Sequence, residues 1–181
     1  MNNLKLSKKD LFQIIENALV WIVTLAMSIY GIGKVVQFKG AAEINKTVNE
    51  MTGMELMWAF YGYSENYVLI LGFLEVLGGL LLFFRKTRII GCVLISTILI
   101  NIILQDIFYK VNAGALRAAI LYQMCIVAIL WFNKEKVLTI INSFYINSVE
   151  FGLNKRTMFI YFLTFILFVI LRYAEWLICS I

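Results

Sequence analysis

The sequence predicts an all-α bundle of membrane-crossing helices, and three observations carry that prediction. Of its 181 residues, 62% are apolar and 15% charged, with a mean hydropathy of +0.86. A soluble domain is nearer half apolar, with about a quarter of its residues charged. Apolar runs long enough to cross about 30 Å of hydrocarbon recur five times along the chain. The basic residues gather at the ends of those runs, where topology signals belong.

The runs cover approximately 11–36, 67–84, 89–109, 115–132 and 157–178. We expect a four-span core over 1–132, with an outer aromatic loop at 39–66. An interfacial segment and a fifth span then follow over 133–181. The first run follows Lys8, Lys9 and Asp10 and is too long for the apolar part of a signal peptide, so no cleaved leader is expected. The segment 137–151 carries Val137, Ile140, Ile141, Phe144, Tyr145 and Val149 at helical spacing. That pattern predicts a helix lying on the cytoplasmic surface.

Five spans put the termini on opposite sides. With the N-terminus inside, ten basic residues fall on the cytoplasmic side and six outside. The turn "RKTR" (85–88) is the clearest single signal. The loop 39–66 is comparatively acidic, with Glu43, Glu50, Glu55 and Glu65. The positive-inside rule therefore predicts a cytoplasmic N-terminus and a periplasmic C-terminus.

The composition also excludes function classes. The chain has no histidine, which removes imidazole metal sites, His-ligated haem and His-based acid–base catalysis. Cys92, Cys125 and Cys179 are far apart and form no C-x-x-C pair, so they read as packing residues. There is no proline, hence no common kink signal. A net charge of +5 might suggest nucleic acid in a soluble protein, but here the charge follows the membrane boundaries. No catalytic set and no metal site are expected.

Ionisable groups at membrane depth cost about 2.5–3.5 kcal/mol at a helix centre and call for a reason. Lys34, Glu75, Asn101, Gln105, Asp106 and Arg117 come from four spans, and all are predicted in the outer half of the bilayer. Gly72, Glu75 and Gly79 share one face of the second span, so a neighbouring helix can approach closely there. Thr97, Asn101 and Gln105 form a stripe on the third span, and Tyr30, Lys34 and Gln37 one on the first. Glu75 is expected to face inward and to pair with Lys34, with Arg117 as the second choice. Arg172 and Glu175 read as a local pair, three residues apart.

Two readings of the cluster stay open. One is an ion-pair and hydrogen-bond network that fixes helix order. The other is a polar pocket for a quinone headgroup, a lipid headgroup or a small solute, or a proton site. The stretch "MELMWAFYGYSENY" (54–67) bears on the choice. Its aromatics suit either a helix at the headgroup level or a lid over a pocket, in which Trp58, Tyr61 and Tyr63 would take part.

"SIYGIGKVVQF" (28–38), "LGFLEVLGGLLLFFRKTRIIG" (71–91) and "NIILQDIFYKV" (101–111) together resemble the DoxX family of small bacterial membrane proteins. The shared features are Gly31, Gly33 and Lys34 at the end of one helix, Gly72, Glu75, Gly78 and Gly79 on the next, and the short basic turn after it. "AFYGYS" (59–64) is similar to a branch of the family common in Bacteroidetes. The resemblance covers roughly residues 15–132 and implies a four-helix bundle in the bacterial inner membrane. It also implies a link, for some members, to thiosulfate:quinone oxidoreductase or to complexes handling oxidative stress. The fifth span and the segment before it depart from the pattern and would suit docking of another membrane protein or a second copy.

The expected function is therefore a non-catalytic subunit or anchor of a larger membrane complex, possessing lipids as its surroundings. The alternative is a quinone- or lipid-binding oxidoreductase component that uses the pocket around Lys34 and Glu75. A small-solute transporter is a third class, without the inverted repeat of broken helices that would mark it.

Overall fold

The computed structural model describes residues 7–145 and 154–179. Among them lie seven α-helices and one short 3-10 turn, with no strand. The chain falls into two compact units, up to Leu138 and from Thr139 onward.

The first unit is an all-α bundle. Helix α1 spans Lys8–Gln37, α2 Gly53–Gly62, α3 Glu65–Phe83, α4 Arg88–Tyr109 and α5 Ala113–Phe132. Helix α6, Lys134–Tyr145, begins in this unit and crosses into the second. The second unit contains α7, Lys155–Cys179. Five of these helices, α1, α3, α4, α5 and α7, are long and apolar enough to cross a membrane. Their bounds lie within a few residues of the five runs read from the sequence. Residues 146–151 of the expected surface helix lie outside the described residues.

The helix ends have identifiable stops. Ser7 caps α1 in a reciprocal box with Asp10, and Ser64 caps α3 by accepting from the Tyr67 N–H. Asn112 opens α5, its side-chain oxygen accepting from Gly114 and Ala115 at 2.7 and 3.0 Å. Lys110 takes a left-handed conformation (φ 52°) that ends α4 and turns the chain back.

Inside, Val20, Val23 and Met27 of α1 meet Leu82 of α3, Ile95 and Leu99 of α4, and Ile126 and Ile129 of α5. Lipid is as apolar as these side chains, so their contribution comes from close packing more than from escape from water. Helices α1 and α3 come closest of all. A Cβ on Gly72 would sit 2.4 Å from the Gly31 carbonyl oxygen, so only glycine fits there. Two helical turns away, Thr24 Oγ1 donates to the Gly79 carbonyl at 3.2 Å. Outward-facing positions such as Ile22, Leu25, Phe73, Val93 and Val127 are apolar and exposed, the surface expected of a protein in lipid.

Candidate functional site

The glycine contact between α1 and α3 places the site. Gly31 and Gly72 bring the helices together, and Lys34 and Glu75 each follow one turn later on the joined faces. Lys34 Nζ lies 3.1 Å from Glu75 Oε1. Glu75 is 2% exposed, and it stands ten residues from the first residue of α3 and eight from the last. It is thus near the middle of α3, which the Ser64 cap starts before the apolar run begins. Lys34 turns inward to the carboxylate, with its ammonium also 5.9 Å from the centre of the Phe38 ring.

Beside this pair lies a cavity of about 460 Å³ between α1, α2, α3, α4 and α5. Its walls include Tyr30, Lys34 and Gln37 from α1, Glu75 from α3, Thr97, Asn101, Gln105 and Asp106 from α4, and Tyr122 from α5. The i, i+4 stripes on α1 and α4 thus face one space. Gln105 donates to Asn101. Asp106 is buried, and its Oδ1 accepts from the Asn112 N–H at 3.3 Å across the α4–α5 turn. Two residues on the cavity wall, Glu75 and Asp106, each have one buried carboxyl oxygen, Oε2 and Oδ2, without a hydrogen-bond partner.

Helix α2 covers one side of the cavity. Gly53 lets its first turn press against the end of α4, where a Cβ would lie 1.7 Å from the Tyr109 carbonyl oxygen. Trp58 and Tyr61 both line the cavity. The Tyr61 hydroxyl donates to Gln105 at 2.8 Å, and its ring lies 4.9 Å from that of Phe38 and 6.2 Å from that of Tyr67. Burial pushes the Tyr61 phenol above its ordinary value, while its bond to Gln105 acts the other way. Thr52 and Glu55 form a capping box at the start of α2, and Lys46 bonds Glu55 at 2.5 Å. These bonds hold the Glu55 carboxyl down at about 2.

Two expected members do not join the site. Arg117 is exposed and its Nε donates to the Ala113 carbonyl on its own helix at 3.0 Å. The face of α5 toward the cavity is Ala115, Ala118, Ala119 and Tyr122, so Arg117 points elsewhere and is not a partner of Glu75. Tyr63 is 87% exposed and absent from the cavity. It sits at the end of α2, two residues after Tyr61, on a different face.

One polar network escaped the sequence reading. At the opposite end of the bundle, Arg88 Nη1 meets Glu16 Oε1 at 2.5 Å, and Asn133 Nδ2 donates to the same oxygen at 2.7 Å. Arg88 also reaches the Leu82 carbonyl at 3.4 Å. The available signal was Glu16 within the first apolar run, an acid with no stated partner.

An α-helical bundle with an apolar exterior, an internal ion pair and a polar cavity is a multi-pass membrane protein. Its sequence is 34% identical over 115 residues to the uncharacterized protein YwoB of Bacillus subtilis (strain 168). That alignment covers 62% of this chain and 72% of YwoB, and the chain belongs to the same family. No family model matches the chain, and no solved structure does.

Proposed function

We propose that this protein binds a small amphipathic molecule in the cavity beside the Lys34–Glu75 pair. The observation that carries the reading is a buried Glu75 oxygen without a partner on the wall of a cavity of about 460 Å³. Ligand pockets commonly run from about 300 to 1,000 Å³, with apolar walls and a few placed polar groups. An ionisable group at mid-membrane carries a functional hypothesis for the same energetic reason. Among the described residues no nucleophile is set beside a base, and the role proposed is binding.

In this reading the protein sits in a bacterial cytoplasmic membrane with its N-terminus inside, as the charge bias favours, and the cavity opens toward the outer leaflet. The resemblance to the DoxX family supports a redox-linked setting, in which the ligand or a partner complex would be handled at the membrane.

A second reading, an anchor subunit of a larger complex, draws on α7. Between Met158 and Leu171 its polar residues are just Tyr161 and Thr164, and a helix apolar on every face suits burial against lipid or another helix. Gentle detergent extraction from the native host, followed by mass spectrometry of bound proteins and small molecules, separates the two. A small molecule retained one to one supports the cavity reading. A stoichiometric protein partner with an empty cavity overturns it in favour of the anchor.

A further inference from the structure

The cavity walls go further than a polar pocket, and say which sign of charge belongs in it. Three lining residues carry formal charge: Lys34, Glu75 and Asp106. Lys34 and Glu75 offset each other at 3.1 Å, which leaves the carboxyl of Asp106 as an excess acid. Of the three buried side-chain atoms without a partner among the described residues, Gln123 Oε1 lies away from this cavity, and the two that belong to cavity-lining residues are carboxyl oxygens, Glu75 Oε2 and Asp106 Oδ2. A carboxylate oxygen accepts hydrogen bonds and cannot donate them. What would satisfy either is a donor, and the excess charge at Asp106 makes a cationic donor the best fit there.

The remaining walls suit an organic cation over a bare metal ion. Among the described residues there is no group of three or more acidic, Cys or His side chains able to hold a metal. Calcium would take six to eight oxygens. The cavity instead offers the rings of Phe38, Trp58, Tyr61 and Tyr122, whose faces attract ammonium groups. An oxidised quinone presents acceptors alone and would leave both carboxyl oxygens unpaired.

We infer that the cavity takes a protonated primary amine carried on an apolar body, its N–H groups bonding the excess carboxylate of Asp106. This rests on the cavity reading above and narrows it. The same ammonium chemistry could come from a free long-chain amine or from the ethanolamine headgroup of a lipid.

The test uses the full chain in an uncharged detergent, with dodecylammonium, dodecanol and a short-chain ubiquinone as probes. Native mass spectrometry and thermal unfolding are the readouts. Dodecylammonium should bind one to one and raise the melting temperature, while dodecanol, with the same chain and no charge, should do neither. Asp106→Asn is the discriminating variant. An asparagine oxygen can still accept from the Asn112 N–H, so the fold is kept, while the excess charge goes. It should weaken dodecylammonium about tenfold, the scale of one charge-assisted hydrogen bond.

Equal binding of dodecanol or the ubiquinone, or no effect of Asp106→Asn, would overturn the cationic ligand and leave the cavity reading standing. Failure of every probe to bind would remove both. Selective retention of phosphatidylethanolamine from mixed phosphatidylethanolamine–phosphatidylcholine nanodiscs would support the inference with a lipid as the source. Binding of dodecylammonium with no such retention would support it with a free amine.

Discussion

The two ends of the bundle solve one problem in opposite ways. Each joins α1 to the α3–α4 hairpin by a charge pair. At the end with the α3–α4 turn, Glu16 meets Arg88 and Asn133, and Arg88 also takes the Leu82 carbonyl. At the other, Lys34 meets Glu75 beside an open cavity, and one Glu75 oxygen is left without a partner. Glu16 and Lys34 are eighteen residues apart on α1, about 27 Å at the helical rise, close to the hydrocarbon thickness. A part-buried acid held at one oxygen by both Arg88 and Asn133 reads as a fastener. One left with a free oxygen on a cavity reads as a fastener with a second task.

That contrast predicts its largest effect at the closed end. Arg88→Met removes the cation from Glu16 and leaves the acid with Asn133. Breaking a fully buried pair by removing one partner costs about 3–5 kcal/mol, and this pair, with the Glu16 side chain 16% exposed, should reach the lower end of that range. Unfolding in mixed micelles should show a loss of that size, with ligand occupancy per folded molecule unchanged. A loss on the scale of exposed pairs, below about 1 kcal/mol, would erase the difference between the two ends.

The open end gives a smaller and more specific signal. Glu75→Gln, Lys34→Met and the double variant form a cycle whose coupling should lie in the range of about 0.5–3 kcal/mol for residues in contact. Additive losses would mean that the pair contributes nothing as a pair. Glu75→Gln combined with Glu16→Gln should, by contrast, be additive, since the two sites share no partner.

Much of this is legible in the sequence. Hydrophobic runs give the five spans because the bilayer imposes both their length and their composition. The pairing of Glu75 with Lys34 follows from Gly72 and Gly79 on one face of α3 and from the cost of leaving an acid in lipid. The stripe Thr97, Asn101 and Gln105 points correctly into the cavity because a helix keeps i, i+4 residues together. Arg88 was harder to place. It reads as one more basic residue in "RKTR", yet it is 6% exposed while Arg85 and Lys86 face out. Sequence position marks the turn, but the partner, Glu16, is 72 residues away. Tyr61 and Tyr63 pose a similar difficulty. Both are aromatic and two residues apart, so they fall on different faces, and the sequence does not say which face of α2 meets the bundle.

The smallest effect concerns how firmly α2 is held over the open end. Glu55 accepts from Lys46 and from the Thr52 N–H and hydroxyl, and these bonds hold its carboxyl at about 2, below the ordinary glutamate value of 4.5. The folded state therefore favours the deprotonated acid. Its contribution is fully present above pH 4.5 and is lost as the pH falls toward 2. Amide exchange around residues 46–56 should accelerate across that window, with the Leu56 N–H to Thr52 bond among the first to open. Glu55→Gln should flatten the response, because the amide accepts at one oxygen and carries no charge for Lys46. The turn end supplies the control, since the Glu16–Arg88 network has no part in the Glu55 bonds, and exchange at Gly91 should not follow the same profile. If exchange at both ends changes together, the loosening is global unfolding in acid, and α2 is not a separately held cover.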